Sequence, residues 1–372
     1  MERWSNEAID NLMADSSMDE PSKIDAVSKI RNWFTADTKL IDQYMAESLT
    51  LDELTEKLAT PIERTYSSAD YGTQYYKQEI SARQQRKYHS PEKALELWGP
   101  EEDFPKPVDT KVPSTELQLW ELYYGILHAA KRIPWDDDAR QEKLLDVVCA
   151  LKARPEPPRP VPMTIPLQRE WIWQSGYLWS NLNMFGPAVC EAVNDAPGCS
   201  SAWTELEQRA WVNVSSFLAR VTRDGLLDFR NVGTYALRDA TERNLEEHPN
   251  LHHIASAHVK LEHHVTEASV WLILAGDQLL EEYTHTPDQE AWRIVDEFID
   301  LRDHELPWNR SNRSRRKNGN QPRHEDYKLE FFRRRFEVES QNETLSEKTR
   351  QLAARASTCV ARIADSKTYV FI

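Results

Sequence analysis

Apolar positions along the chain recur at steps of three and four, and no alternating run extends beyond a few residues, so the pattern predicts helices rather than strands. Ile24 to Phe34 forms a first short segment. Thr50-Leu51-Asp52-Glu53 is a capping box that opens a helix towards Ala59, just before Pro61. Residues 65–92 are polar and carry Tyr66, Tyr71, Tyr75, Tyr76 and Tyr88, as expected of a partly ordered helix or a surface insertion. From Ser114 the signal strengthens. Leu119, Leu122, Tyr123, Ile126 and Ala130 share one helical face, while Trp120, Tyr124, Leu127 and His128 share another. A helix that is apolar nearly all round belongs in the centre of a fold. Pro134 stops it, and Asp136-Asp137-Asp138 opens the next helix, through Leu144, Leu145, Val148 and Leu151, with acids at the positive end of the macrodipole.

Six prolines from Pro155 to Pro166 then predict an extended strap. Beyond it, Trp171, Trp173, Tyr177, Trp179, Leu182 and Phe185 suggest a helix over 168–185, buried on several sides. A helix from Thr204 carries Trp211, Val214, Phe217, Leu218 and Val221 and stops at Gly225, the residue type favoured at a C-terminal cap. Further helices are expected at Val232 to Asn244, Lys260 to Glu282, Gln289 to Leu306, Glu325 to Glu339 and Ser346 to Asp365. The expected fold is therefore a single irregular all-α domain of about ten helices around a tryptophan-rich core. Gly99-Pro100 and Pro105 to Pro113 separate an N-terminal part, 1–113, from a helical core, 114–372, which carries a basic loop at 309–324.

Composition supports this picture. Ten glycines in 372 residues leave little room for tight hairpins or phosphate-cradling loops, while 13 Trp, 13 Tyr and 10 Phe supply a large aromatic core. All ten glycines are isolated, so dinucleotide fingerprints, Walker loops and nucleophile elbows are excluded. A net charge of −15 disfavours nonspecific attraction to nucleic acid or anionic lipid, and no zinc-finger spacing supports sequence-specific DNA binding. The first residues carry acids where a signal peptide would be apolar, and Trp171 to Cys190, the longest uncharged run, contains polar residues and Pro187. A cytoplasmic protein with reduced cysteines and no membrane span is expected, with Cys190 and Cys199 the only pair suited to bridging.

The run Leu119-Trp120-Glu121-Leu122-Tyr123-Tyr124-Gly125-Ile126-Leu127-His128-Ala129-Ala130-Lys131-Arg132-Ile133-Pro134-Trp135 resembles a large fungal family of undescribed function, labelled after protein G of an oxopyrrolidine biosynthesis cluster. The likeness continues at Leu151-Lys152-Ala153-Arg154-Pro155, Phe185-Gly186-Pro187, Pro197-Gly198-Cys199, Phe217-Leu218-Ala219-Arg220, Tyr235-Ala236-Leu237-Arg238 and Ala268-Ser269-Val270-Trp271. The resemblance implies fungal origin, a helical fold and association with secondary-metabolite loci, but no reaction. The insertion at 65–110 and the arginine-rich stretch at 310–323 are longer than the family's usual connections.

Four groups of residues carry candidate chemistry. Trp120, Tyr124, His128 and Lys131 step by four, four and three and can line one pocket wall, joined by Trp171 and Trp179, with His128 as an acid or base; a core helix with hydrogen-bonded His128 and Tyr124 would show the same spacing. Asp136, Asp137, Asp138 and Glu142 are similar to the acid-rich helix with which isoprenoid cyclases hold magnesium and diphosphate, though the spacing departs from that pattern and no second metal motif follows. Helix N-terminal charge accounts for these acids equally well. His252, His253, His258, His263 and His264 cluster near Glu262 and Glu267; His258 to Glu262 and His264 to Glu267 each make a single step of the metal-binding kind, but His253, His258 and His263 step by five and no HExxH is present, so a solvated, pH-sensitive connection is expected and no metal site. Arg310, Arg313, Arg315, Arg316, Lys317 and Arg323 form an acid-free basic stretch, suited to nuclear import, to an anion, or to the protein's own acidic surface.

The leading expectation is an accessory or interaction protein without catalytic activity or cofactor, binding a protein partner or an apolar small molecule. The alternative is an unconventional lyase or cyclase using magnesium on an apolar or prenyl diphosphate substrate, with an aromatic cavity stabilising a cation.

Overall fold

The computed structural model describes residues 2–67, 87–98, 114–158, 177–243, 245, 255–281, 283, 299 and 325–368. They form thirteen α-helices and no strand, so the fold is all-α as expected. The chain divides into two compact units, one of Met1–Arg31, Lys131–Asp138 and Asp195–Ile372, the other of Asn32–Ala130 and Ala139–Asn194.

The first unit holds α1 (Glu2–Ala14), α2 (Glu20–Arg31) and five later helices. Of these, α9 (Glu205–Arg223) begins with the reciprocal capping box formed by Thr204 and Glu207, whose carboxylate also accepts from buried Arg31 at 2.7 Å. It ends at Gly225, where φ is +65° and the Leu226 and Gly225 amides donate to the Val221 and Thr222 carbonyls, the double closure that needs a left-handed residue. Next comes α10 (Arg230–Thr241), and then the hub, α11 (Ala257–Leu279). α11 packs against α9, α10 and the last helix, α13 (Glu347–Thr368), which in turn packs on α12 (Glu325–Gln341). The hub is apolar on most of its surface, as a helix enclosed by three neighbours must be. Gly233 permits the close approach of α10, because a Cβ there would lie 2.7 Å from Cε3 of Trp271.

The second unit contains α3 (Lys39–Met45), α4 (Leu51–Ser67), α5 (Pro91–Trp98), α6 (Thr115–Lys131, its last residue excepted), most of α7 (Asp138–Ala153) and α8 (Phe185–Ala192). Leu119, Tyr123, Ile126, Leu127 and Ala130 of α6 are fully enclosed, and the Tyr123 ring stacks on Phe185 with centroids 4.7 Å apart.

Several boundaries differ from the sequence pattern. α4 runs through Pro61 instead of stopping before it, because the stripe Leu54, Ile62 and Tyr66 stays buried on both sides of the proline and holds the helix together. Within the helix expected over 168–185, residues 177–184 form turns, with Leu182 and Met184 at positive φ. The reason lies in the strap. The Glu156 carboxylate accepts the backbone amides of Leu178, Trp179 and Ser180, donors that in a helix over 168–185 would have bonded to the carbonyls four residues earlier. Residues 159–176, all but one residue of the helix expected at Gln289 to Leu306, and most of the 65–110 insertion lie outside the described residues.

Candidate functional site

α11 brings together His263, His264 and Glu267, three polar side chains that are 3%, 8% and 5% exposed. Ser256 starts the helix by accepting the Val259 amide at its hydroxyl. Glu267 lies four residues after His263 and three after His264, the two spacings that meet on a helix surface, and one donor atom from each of the three lies within 4.8 Å of the other two.

Glu267 is held firmly by α9. Its Oε1 accepts from Nε1 of Trp211 at 2.8 Å and from Oγ of Ser215 at 2.8 Å. An indole nitrogen can only donate, so the 2.8 Å contact from Nε1 of Trp271 to Oγ of Ser215 fixes the direction of the whole chain, Trp271 to Ser215 to Glu267. Trp211 and Ser215 on α9, and Glu267 and Trp271 on α11, are both four residues apart, so two helical turns face each other. The second oxygen, Oε2, faces Nε2 of His263 at 3.7 Å. Trp203 packs edge-on against both imidazoles, with ring centroids at 5.7 Å and 5.6 Å.

Electrostatics follow from burial. Desolvation pushes the Glu267 carboxyl up to about 7; the donors Ser215 and Trp211 oppose the shift, and the field of Asp239 adds to it. Desolvation alone drives His263 down to about 3, so its ring is a neutral imidazole at physiological pH. Two imidazole nitrogens and one carboxylate oxygen make a donor set for a borderline divalent transition ion, or a relay for a proton.

The reading of 252–264 as a solvated connection is corrected for His263 and His264. Both are enclosed, whereas His258 is exposed; His252 and His253 lie outside the described residues. The steps of five across His253, His258 and His263 do not bear on the grouping, which uses two consecutive histidines and the carboxylate one turn on. Its signal in the sequence is the step of three from His264 to Glu267 joined by the step of four from His263. Glu262, the other acid beside the histidines, instead accepts from the Ser346 amide and from the hydroxyls of Ser346 and Thr349, which cap α13.

The other sequence candidates are placed as follows. Trp120 and Tyr124 contact each other at 5.3 Å between centroids, Phe34 lies 5.3 Å from Tyr124, and His128 is buried two turns from Trp120 on α6. Trp179 is enclosed and donates from Nε1 to Glu63 at 2.9 Å, and Trp171 lies outside the described residues. Lys131 forms a fully buried ion pair with Asp195 at 2.5 Å, both side chains 1% exposed. Burial pulls its ammonium below the ordinary value and Asp195 opposes this. Asp138 pairs with the buried guanidinium of Arg220, and Asp136 pairs with Lys348 at 3.2 Å. Glu142 lies on α7, in the second unit. Arg310, Arg313, Arg315, Arg316 and Lys317 lie outside the described residues. The four cysteines are free thiols, and among the described residues no helix is long and apolar enough to cross a membrane.

Fold and grouping together define an all-α protein with a buried cluster of two histidines and a glutamate between two of its helices. A family model described as "Protein of unknown function (DUF3632)" matches residues 123–318, more than half of the chain, and the chain belongs to that family. No curated protein and no solved structure matches it.

Proposed function

We propose that the chain is an intracellular fungal accessory protein, serving a secondary-metabolite pathway by binding a protein partner and not by transforming a substrate. The observation that carries this reading is the state of the acidic run: Asp138 is bound to Arg220 and Asp136 to Lys348. In these positions the carboxylates neutralise the protein's own cations, one of them fully buried, where a magnesium diphosphate site would need them free to face a ligand. Fungal origin and the metabolic link rest on the family resemblance in the α6 segment. The cytoplasm is the proposed location, and the nucleus is the alternative if the basic stretch 309–324 acts as an import signal. For the partner surface, α5 offers Leu95 and Leu97, 53% and 47% exposed, close in sequence to the 87% exposed Tyr88.

Thermal unfolding of the full chain with magnesium, with pyrophosphate and with farnesyl diphosphate tests the reading. A ligand at 100 times its dissociation constant stabilises by about 2.7 kcal/mol, which is readily seen. No shift is expected in any combination, together with capture of a discrete partner that the Leu95→Asp, Leu97→Asp double variant loses. A shift that requires magnesium and the prenyl diphosphate together overturns the proposal and revives the lyase alternative, with Trp120, Tyr124, His128, Trp171 and Trp179 as the pocket wall to mutate.

A further inference from the structure

We infer that His263, His264 and Glu267 bind a divalent transition-metal ion of the zinc class. The donor types come first. Two imidazoles and one carboxylate match borderline ions, whereas magnesium and calcium take all-oxygen shells. The spacing agrees. Bonds of about 2.0–2.2 Å in a tetrahedral shell place neighbouring donors about 3.4 Å apart, and Nε2 of His263 already lies 3.7 Å from Oε2 of Glu267. Small side-chain rotations close the remaining gap to the 4.8 Å limit of the three donor atoms.

The state of each ligand is the second, independent observation. Oε1 of Glu267 holds both hydrogen bonds, from Trp211 and Ser215, and Oε2 accepts none among the described residues. This is the division of labour seen where an outer shell orients a ligating carboxylate and leaves its other oxygen for the ion. His263 is nine-tenths buried; Nε2 is the nitrogen that faces Oε2 of Glu267, and Nδ1, enclosed without a hydrogen-bond partner, is the one left unheld. Trp203 fixes the planes of both rings from the side. Asp239, itself paired with Arg243, adds a negative field at Glu267. Three protein donors leave one tetrahedral position for water.

The test uses the full chain, freed of metal by chelator and titrated with Zn2+ by calorimetry and with Co2+ by visible absorption. One equivalent of each ion is expected to bind tightly, with the intense absorption bands of four-coordinate Co2+. Affinity should fall at least about 10-fold in Glu267→Gln and in His264→Ala, and also in Ser215→Ala, which removes the donor to Oε1 of Glu267 and the acceptor of Trp271 Nε1 but spares the ligands. The exposed His258→Ala should bind like the parent. Circular dichroism establishes that each variant is folded. The inference is overturned if the parent gives no four-coordinate Co2+ spectrum, or if folded Glu267→Gln and Ser215→Ala both keep the parental Zn2+ affinity. Should Glu267→Gln not fold, Ser215→Ala and the parental spectrum decide alone.

Discussion

Replacing Gly233 by alanine tests how closely α10 is packed against the helix that carries the histidines. The added Cβ would lie 2.7 Å from Cε3 and 2.8 Å from Cδ2 of Trp271, and 2.9 Å from Cδ1 of Leu279. Leu279 can swing a methyl aside. Trp271 cannot, because its ring is fully enclosed and its Nε1 is committed to Ser215. Overpacking of this kind costs about 1–3 kcal/mol, and alanine returns about 0.5–1 kcal/mol over glycine inside a helix. The difference spans a loss of about 0–2.5 kcal/mol, and because the rigid Trp271 ring takes both of the shortest contacts the expectation is the upper part, about 1–2.5 kcal/mol, or about 2–10 °C in Tm at about 2–4 °C per kcal/mol for a unit of roughly 200 residues. Differential scanning calorimetry of the full chain measures it. In a Trp271→Val background, where the whole indole is gone and only the flexible Leu279 methyl must give way, the same substitution should become neutral or stabilising, which isolates the contact as a double-mutant cycle. A Gly233→Ala protein as stable as the parent would refute the reasoning, since it would mean that Trp271 moves freely.

Two further outcomes follow from the ion pairs. Lys131→Met should cost about 3–5 kcal/mol in urea unfolding by taking the ammonium away from the buried Asp195 carboxylate, and a second change, Asp195→Asn, should recover most of that; a single variant within 1 kcal/mol of the parent would contradict the buried pair, on the scale of such pairs. On the surface, Arg230 holds the Asp228 carboxyl below its ordinary value of 3.8. Its stabilising contribution is therefore present above that value and lost as the pH falls through the lowered one. Asp228→Asn should accordingly flatten the acid limb of a Tm-against-pH curve between about pH 5 and 2. An unchanged limb would show that Arg230 does not hold the carboxylate in solution.

Much of the architecture can be read from local chemistry in the chain. The all-α class follows from apolar steps of three and four, the start of α9 from Thr204 and Glu207, its end from Gly225, and the enclosure of α6 from its all-round apolar surface. Each is a short-range property, settled within one or two helical turns. What depends on distant residues could not be read this way. Pro61 is carried inside α4 by burial on both sides, and Glu156 replaces an expected helix with turns by capturing amides 22 to 24 residues away. The same limit governed the site. Sequence spacing judged the histidines on their own segment, but it is Trp211 and Ser215 on α9 that claim one oxygen of Glu267, and burial against neighbouring helices that makes His263 a neutral imidazole. Periodicity determines which elements form. Which polar groups lose water, and which partner each then finds, is decided only when the helices close on one another, because desolvation is a property of the packed interior and not of the chain.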